Sequence, residues 1–190
     1  MTWLEGIAVA LGLINVALVV KRSVWNYPFG LAMVALYFFV FYEARLYSDA
    51  LLQIFFFVVQ IYGWANWAAA KKEAGEVSVA TLGLRQRVLW VVGTAVASLA
   101  WGLVMARFTD AAAPIVDAGV AGTSVSAQIL LARRRIESWV LWILVDVVAI
   151  GLYWSRDLRV TSALYAVFLV LATGGLIGWA RALRDSRVSA

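Results

Sequence analysis

The stretch ESWVLWILVDVVAIGLYWS, residues 137–155, decides the class of fold. After its first residue it contains a single charged side chain, Asp146, within an apolar and aromatic run. A membrane-spanning helix needs about 20 mostly apolar residues, whereas a strand would be shorter and would alternate polar with apolar positions. The stretch therefore predicts a helix that crosses a lipid bilayer.

The composition of the whole chain agrees with a membrane protein. Of its 190 residues, 64% are hydrophobic and 14% are charged, whereas a soluble domain is about half apolar and about a quarter charged. The chain has no cysteine and no histidine, which excludes disulfides, thiolate chemistry and imidazole metal sites. We expect no metal and no cofactor. We also expect no nucleic-acid partner, since membrane topology accounts for the net charge of +5.

Seven stretches are long and apolar enough to be membrane-spanning helices. We place them at 3–20, 27–43, 48–68, 88–107, 114–132, 137–155 and 160–180. The polar stretch KKEAGEVSVATLGLRQR, residues 71–87, is interpreted as a loop. The predicted fold is an all-α integral membrane protein with seven transmembrane helices, surrounded by membrane lipid.

The basic residues indicate the orientation, because seven spans place the two termini on opposite sides. One side would hold twelve of them: Lys21, Arg22, Lys71, Lys72, Arg85, Arg87, Arg133, Arg134, Arg135, Arg181, Arg184 and Arg187. The other side would hold Arg45, Arg107, Arg156 and Arg159. The positive-inside rule makes the richer side cytoplasmic, so we expect the N-terminus outside and the C-terminus in the cytoplasm.

Comparison of the chain with itself at an offset of 112 residues indicates an internal repeat. The offset aligns Lys21-Arg22 with Arg133-Arg134, Tyr27 with Trp139, Gly63 with Gly175 and Trp67 with Trp179. Spans 1–3 thus resemble spans 5–7, and span 4 returns the chain so that both repeats insert in parallel. The predicted units are a first repeat (1–68), a cytoplasmic loop with a connector helix (69–107) and a second repeat with the C-terminal tail (108–190). Chance similarity among apolar helices is the alternative.

Asp146 lies near the middle of its span, where a carboxylate costs about 2.5–3.5 kcal/mol, so it should face the interior of the bundle. Trp139, Trp142 and Asp146 are spaced i, i+3 and i+7, which places them on one helical face. Two indoles beside a carboxylate suit a flat aromatic cation. The alternatives are that Trp139 belongs to packing or to the membrane interface, and that Asp146 pairs with another helix.

Two other spans carry polar or aromatic side chains at the relative positions 0, 7 and 11, which fall on one helical face. They are Gln53, Gln60 and Trp64 in span 3, where Trp67 continues the stripe at position 14, and Asp117, Ser124 and Gln128 in span 5. Such groups either bond between helices or line a cavity. Three such stripes, from both halves of the repeat, favour a cavity. Asn26, in WNYPFG at the start of span 2, is a turn residue and a further candidate.

Other classes of function find less support. The sequence has no nucleophile–base set, metal cluster or P-loop, so neither an enzyme nor an ATP-driven pump is expected. A retinal receptor needs a lysine inside a span, but Lys21, Lys71 and Lys72 all fall in predicted loops. Within the class of transporters, proton-coupled uptake through Asp146 or Asp117 is the alternative to facilitated diffusion.

Three segments resemble the PnuC family of vitamin transporters, and together they cover nearly all of the chain. They are NYPFG with the later LYSDALLQIFFFVVQIYGWANW, then VDAGVAGTSVSAQILLARRRIESWVLWILVD, and finally ALYAVFLVLATGGLIGWAR. The most specific parts are Leu52-Gln53, Tyr62-Gly63-Trp64, Trp67 and the pattern Glu137-x-Trp139-x-x-Trp142-x-x-x-Asp146.

The resemblance implies a SWEET-like 3+1+3 fold and a homotrimer in the bacterial inner membrane. It implies uptake of nicotinamide riboside or, in other branches of the family, thiamine or riboflavin, by facilitated diffusion. It also implies that Trp139, Trp142, the residue at 146 and amides of spans 3 and 5 contact the substrate. Family members that carry nicotinamide riboside often have asparagine at the positions of Asp146 and Gln60 here. Since nicotinamide riboside and thiamine are cations and riboflavin is neutral, Asp146 favours the first two, with nicotinamide riboside ahead.

Overall fold

The computed structural model describes residues 3–43, 47–108, 114–155 and 159–188. In these ranges the chain forms seven helices and no strand: α1 (Trp3–Val20), α2 (Asn26–Glu43), α3 (Tyr47–Ala74), α4 (Leu84–Phe108), α5 (Pro114–Ala132), α6 (Glu137–Ser155) and α7 (Arg159–Val188). Each predicted span lies within one helix, so the all-helical prediction is confirmed. Arg45 and Arg156, two of the four basic residues expected outside, lie beyond the described residues.

The polar stretch 71–87 contains a shorter loop than predicted. α3 continues to Ala74 and α4 begins at Leu84, which leaves only residues 75–83 between the two helices. Lys71 and Lys72 occupy the last turn of α3, where positive charge interacts favourably with the helix dipole. Gly75, with φ of 76°, then ends the helix. The prediction was wrong because polarity marks where a helix leaves the apolar layer, while the helix itself continues beyond that point.

Six of the helices close into a ring. Around it, α1 packs on α2, α2 on α3, α3 on α5, α5 on α6, α6 on α7, and α7 on α1. Among the described helices α4 packs only on α5, through a face on which Ser98 and Gly102 are buried. The small residues on this face let the two backbones approach closely. The ring encloses the space in which the candidate site lies.

Aromatic residues 112 positions apart make matching contacts at one end of the ring. Tyr27 meets Trp67 edge-on with 5.5 Å between ring centroids, and Trp139 meets Trp179 edge-on at 5.6 Å. Trp67 and Trp179 also contact each other, with their centroids 5.7 Å apart. Edge-to-face pairs at these distances are favourable because ring edges carry positive and ring faces negative partial charge. The four rings join both halves of the chain in one buried cluster.

The two indoles of this cluster donate matching hydrogen bonds. Trp67 Nε1 donates to the Leu131 carbonyl at 3.1 Å, and Trp179 Nε1 donates to the Val19 carbonyl at 3.3 Å. Val19 and Leu131 are themselves 112 positions apart. One bond therefore joins α3 to α5, and the other joins α7 to α1.

The segment 75–83 crosses this end of the ring and is held by two arginines at equivalent positions. Arg22 and Arg134 both have positive φ, 55° and 59°, just after α1 and α5 end. Arg22 Nη1 donates to the Val77 carbonyl at 3.2 Å, and Arg134 Nη1 donates to Ser78 Oγ at 2.8 Å. Val77 is only 2% exposed and packs into the aromatic cluster. The segment thus covers one end of the ring.

The surface has the apolar character of a protein that lies in lipid. Four segments within the described residues are long and apolar enough to cross a membrane: Ala50–Ala74, Leu84–Phe108, Pro114–Ala132 and Ser162–Ser186. α4 presents exposed apolar side chains along its length: Val88, Leu89, Val91, Val92, Val96, Leu99, Trp101, Leu103, Val104 and Phe108. So large an apolar surface is stable only against lipid or another protein. The chain is a multi-pass membrane protein.

Candidate binding cavity

All seven helices contribute to the lining of a cavity of about 1680 Å³. Nine of the ten side chains predicted from the sequence line it: Asn26, Gln53, Gln60, Asp117, Ser124, Gln128, Trp139, Trp142 and Asp146. These residues come from four helices and from both halves of the chain. The structure therefore brings the polar stripes together around one space.

Trp64 is the exception, since it is not among the residues that line the cavity. Its side chain is 40% exposed, and its ring is stacked on Tyr27 with 6.4 Å between centroids. The interior position at this level of α3 belongs to Trp67, which is fully buried. A helical wheel gives only the direction of a side chain, so it did not separate the edge of the inner face from its centre.

One wall of the cavity combines aromatic rings with a carboxylate. Asp146 is 3% exposed and lines the cavity beside Trp142 and Trp139. Within the described residues the Asp146 carboxylate has no hydrogen bond and no ion pair. Pairing of Asp146 with another helix, the alternative considered from the sequence, is therefore not observed. A buried carboxylate without a partner is costly and is suited to meet a cationic ligand.

Trp139 both packs in the aromatic cluster and lines the cavity. Its ring packs against Trp179. Its Nε1 atom is buried and has no hydrogen-bond partner among the described residues. Gly175 makes room for the indole, because a Cβ atom at that position would lie 2.5 Å from Trp139 Cζ2. Trp142 is half-buried and is the more accessible of the two indoles.

The wall formed by α3 and α5 is lined by amides. Gln53 and Gln60 are buried and Gln128 is half-buried. In the described part of the chain none of these three amides has a hydrogen bond to another group. The alternative that they serve to join helices is thus not observed, and their donors and acceptors are available to a ligand.

Three further polar residues have structural partners. Ser124 Oγ donates to the Val120 carbonyl of its own helix at 2.8 Å. Asn26 Nδ2 donates to the Ser23 carbonyl at 2.7 Å, as expected for a residue that orders the turn before α2. Asn15, which the sequence reasoning missed, lines the cavity and donates from Nδ2 to the Asn26 carbonyl at 2.7 Å. Its only signal in the sequence is that it is an amide within the apolar run of α1.

The cavity has a negative electrostatic character. Its charged lining residues are Asp117 and Asp146, and no lysine or arginine lines it within the described ranges. Phosphate groups are normally bound by arginine, lysine or helix N-termini. The lining therefore favours a cationic ligand and disfavours a phosphorylated one.

Known proteins resemble the chain over nearly its whole length. The profile of a family described as nicotinamide mononucleotide transporter matches residues 2–181. The nicotinamide riboside transporter PnuC of Neisseria mucosa is 30% identical over 195 residues, which are 96% of this chain and 74% of that relative. The riboflavin/roseoflavin transporter RibM of Streptomyces davaonensis is 29% identical over 189 residues, 97% of this chain and 88% of that relative.

A solved structure is also similar. The crystal structure of the vitamin B3 transporter PnuC matches with a TM-score of 0.77 and 29% sequence identity, over 96% of this chain and 83% of that chain. The likeness thus extends from the sequence to the arrangement of the helices.

Proposed function

The chain belongs to the nicotinamide mononucleotide transporter family, and from this premise we propose that it takes up nicotinamide riboside across the membrane. It is a transporter and not an enzyme, in agreement with the relatives that it resembles. The PnuC relative is a nicotinamide riboside transporter by name, and the solved structure is that of a vitamin B3 transporter by name. The substrate is a small molecule held in the cavity.

The observation that carries the choice of substrate is the charge of the cavity lining. Nicotinamide riboside has a positively charged pyridinium ring and no phosphate. Its charge complements the Asp146 carboxylate, and the described lining offers no basic group for a phosphate. Within the family, the cavity therefore fits the nucleoside better than the nucleotide.

The lining also suggests how the nucleoside is held. The pyridinium ring lies against Trp142 and opposite the Asp146 carboxylate, because an aromatic face and a carboxylate both attract a flat cation. The unpaired amides of Gln53, Gln60 and Gln128 meet the polar groups of the substrate. Asn26, Ser124, Asp117 and Trp139 complete the proposed site, whereas Trp64 is left out of it because it does not line the cavity.

Riboflavin is the second candidate, since RibM is a riboflavin/roseoflavin transporter by name and is 29% identical to this chain. Flavins are neutral, so Asp146 contributes no charge attraction to their binding. Thiamine is a cation, so its charge complements the Asp146 carboxylate as well as that of nicotinamide riboside does. A direct comparison of the three vitamins separates these candidates.

For the energetics we propose facilitated diffusion, because the chain has no P-loop that would couple it to ATP. Proton-coupled uptake is the alternative, and the buried, unpaired Asp146 is the group that would carry the proton. The two mechanisms differ in one response: a protonophore stops proton-coupled uptake and leaves facilitated diffusion unchanged.

We further propose that the chain is built as two parallel three-helix repeats, 1–68 and 108–190, joined by residues 69–107 with α4. The matching contacts of Tyr27 with Trp67 and of Trp139 with Trp179 support this division. The exchange of hydrogen bonds between the third helix of one half and the first helix of the other supports it too. Such a repeat relates the two walls of the cavity by an axis along the membrane normal.

The proposed setting is the bacterial inner membrane, with the N-terminus outside and the C-terminus in the cytoplasm. Arg22, Arg134 and Arg87 contribute to one end of the helix ring, where they bind segment 75–83 or a neighbouring carboxylate. The positive-inside rule assigns this end to the cytoplasm. We also propose a homotrimer, in which part of the exposed apolar surface is covered by the other subunits.

Uptake by purified protein in sealed proteoliposomes tests the proposed function. Radiolabelled nicotinamide riboside is expected to enter and to exchange with unlabelled substrate inside, and a protonophore is expected to have no effect. Nicotinamide mononucleotide and riboflavin serve as competitors and are expected to compete poorly. Saturable uptake of riboflavin without uptake of nicotinamide riboside would contradict the proposal.

A further inference from the structure

Gly30 of α2 is covered by two amides that lie between it and the cavity. A Cβ atom at position 30 would overlap Gln60 Oε1 and would lie 2.6 Å from Asn15 Nδ2. Asn15 and Gln60 both line the cavity, whereas Gly30 does not. The space that a side chain at position 30 would need is thus occupied by the ends of these two amides.

The two amides differ in how they are held. Asn15 Nδ2 is fixed by its hydrogen bond to the Asn26 carbonyl. Gln60 is 4% exposed, yet within the described residues its amide has no hydrogen-bond partner. A buried amide is normally paired, and since Gln60 lines the cavity, its open donors and acceptor are available to a polar group there. Hydroxyl groups, which both donate and accept, satisfy such an amide.

The opposite wall is different at the equivalent position. At the offset of 112 residues Gly30 corresponds to Trp142, and Val34 corresponds to Asp146. The second half therefore presents an indole and a carboxylate where the first half presents no side chain at position 30 and an aliphatic one at 34. The cavity has one wall for an aromatic cation and one wall for hydrogen bonding.

We propose that Gly30 is a positioning residue and that Asn15 is a substrate-contacting residue. The missing side chain at position 30 lets the Asn15 and Gln60 amides lie side by side at the cavity, where they bind the hydroxyl-bearing, uncharged part of the substrate. This inference rests on the proposed function, since it names the part of a nucleoside that the first half recognises. It assigns a role to two residues that the sequence alone did not single out.

The Gly30→Ala variant tests the assignment. The atoms that the new methyl group would meet are the ends of flexible side chains, so the variant is expected to fold while its two amides turn away. Gly119→Ala is the matched control, because a Cβ atom at that half-buried helical glycine has nothing within 4 Å. Both substitutions change the helix propensity equally.

The readout is the affinity for two probes measured by calorimetry. Nicotinamide riboside carries the ribose hydroxyls, whereas N-methylnicotinamide keeps the pyridinium cation and lacks them. The affinity for nicotinamide riboside is expected to fall about tenfold or more in each of the variants Gly30→Ala, Asn15→Ala and Gln60→Ala, because hydrogen bonds to buried amides are lost. N-methylnicotinamide is expected to bind more weakly than nicotinamide riboside, and its affinity for these three variants is expected to stay within about twofold of its affinity for the unaltered protein. Gly119→Ala is expected to change the affinity for neither probe.

Each other outcome counts against the assignment. An equal loss of affinity for both probes in Gly30→Ala indicates a general distortion of the cavity. Unchanged affinity for nicotinamide riboside in this variant shows that the placement of the Asn15 and Gln60 amides does not depend on position 30. If Gly30→Ala does not fold, Asn15→Ala and Gln60→Ala still decide whether the hydroxyls are recognised by these amides. Failure of the unaltered protein to bind nicotinamide riboside would instead remove the proposed function, which is a separate result.

Discussion

Replacement of Asp146 by asparagine is expected to have opposite effects on stability and on binding. The side chain is 3% exposed and has no partner within the described residues. An unpaired carboxylate in the middle of a span costs about 2.5–3.5 kcal/mol. Asp146→Asn keeps the size of the side chain and removes this cost, so the ligand-free variant is expected to unfold at a higher temperature than the parent protein.

Binding is expected to change in the other direction, because the carboxylate is the counter-charge for the substrate. Two unit charges about 4 Å apart interact by about 4 kcal/mol at an effective dielectric constant of about 20. Desolvation of both ions offsets part of this gain. A net loss of about 1.4–2.8 kcal/mol corresponds to a Kd for nicotinamide riboside that is ten- to hundredfold weaker.

The assay combines thermal unfolding of the detergent-solubilised protein with calorimetric titration. Reduced nicotinamide riboside, whose ring is uncharged, serves as the neutral ligand, and its affinity is expected not to fall in Asp146→Asn. Glu73→Gln removes a charge from an exposed position of α3 and controls for the change in net charge. Equal affinity of the parent protein and of Asp146→Asn for the cationic form would refute the reasoning, and so would a variant that loses both stability and binding.

Three further substitutions test the packing of the cavity and of its covered end. Trp142→Ala is expected to make the free energy of nicotinamide riboside binding less favourable by about 1–3 kcal/mol, because the stacking and cation–π contacts are lost. Unchanged calorimetric affinity would contradict this role. Gly175→Ala is expected to lower the free energy of unfolding by about 1–3 kcal/mol, because its Cβ atom would lie 2.5 Å from the rigid Trp139 ring; an unchanged melting temperature would show that the ring can move. Arg22→Ala is expected to lower the melting temperature, because it removes the hydrogen bond to the Val77 carbonyl, which contributes about 1 kcal/mol, and the ion pair to the 64% exposed Glu76, which adds at most about 1 kcal/mol; an unchanged melting temperature would show that segment 75–83 is held without this residue.

The helices were predictable from the sequence because a bilayer imposes a minimum length on each apolar run. Their ends were less predictable, since the helix that contains Lys71 and Lys72 continues beyond the apolar layer and stops only at Gly75. The order of helices around the ring was not predictable either. It depends on which faces pack closely, and apolar faces in a membrane protein differ little from one another in composition.

Most of the candidate site was predictable because a polar side chain in a membrane span almost always faces the interior of the bundle or a water-filled cavity. Asp146 and Gln60 stand out in their apolar spans for that reason, and both line the cavity. Asn15 was missed because no second polar residue on α1 forms a stripe with it. Gly30 was missed because its role depends on side chains from other helices, which no spacing within α2 reveals.

Calorimetric titration of the purified protein with nicotinamide riboside, thiamine and riboflavin, each measured separately, tests the central claim most directly. The expected result is saturable binding of nicotinamide riboside, weaker binding of thiamine and no measurable binding of the neutral riboflavin. Tight binding of riboflavin, or binding of none of the three, would contradict a cavity built for a cationic nucleoside.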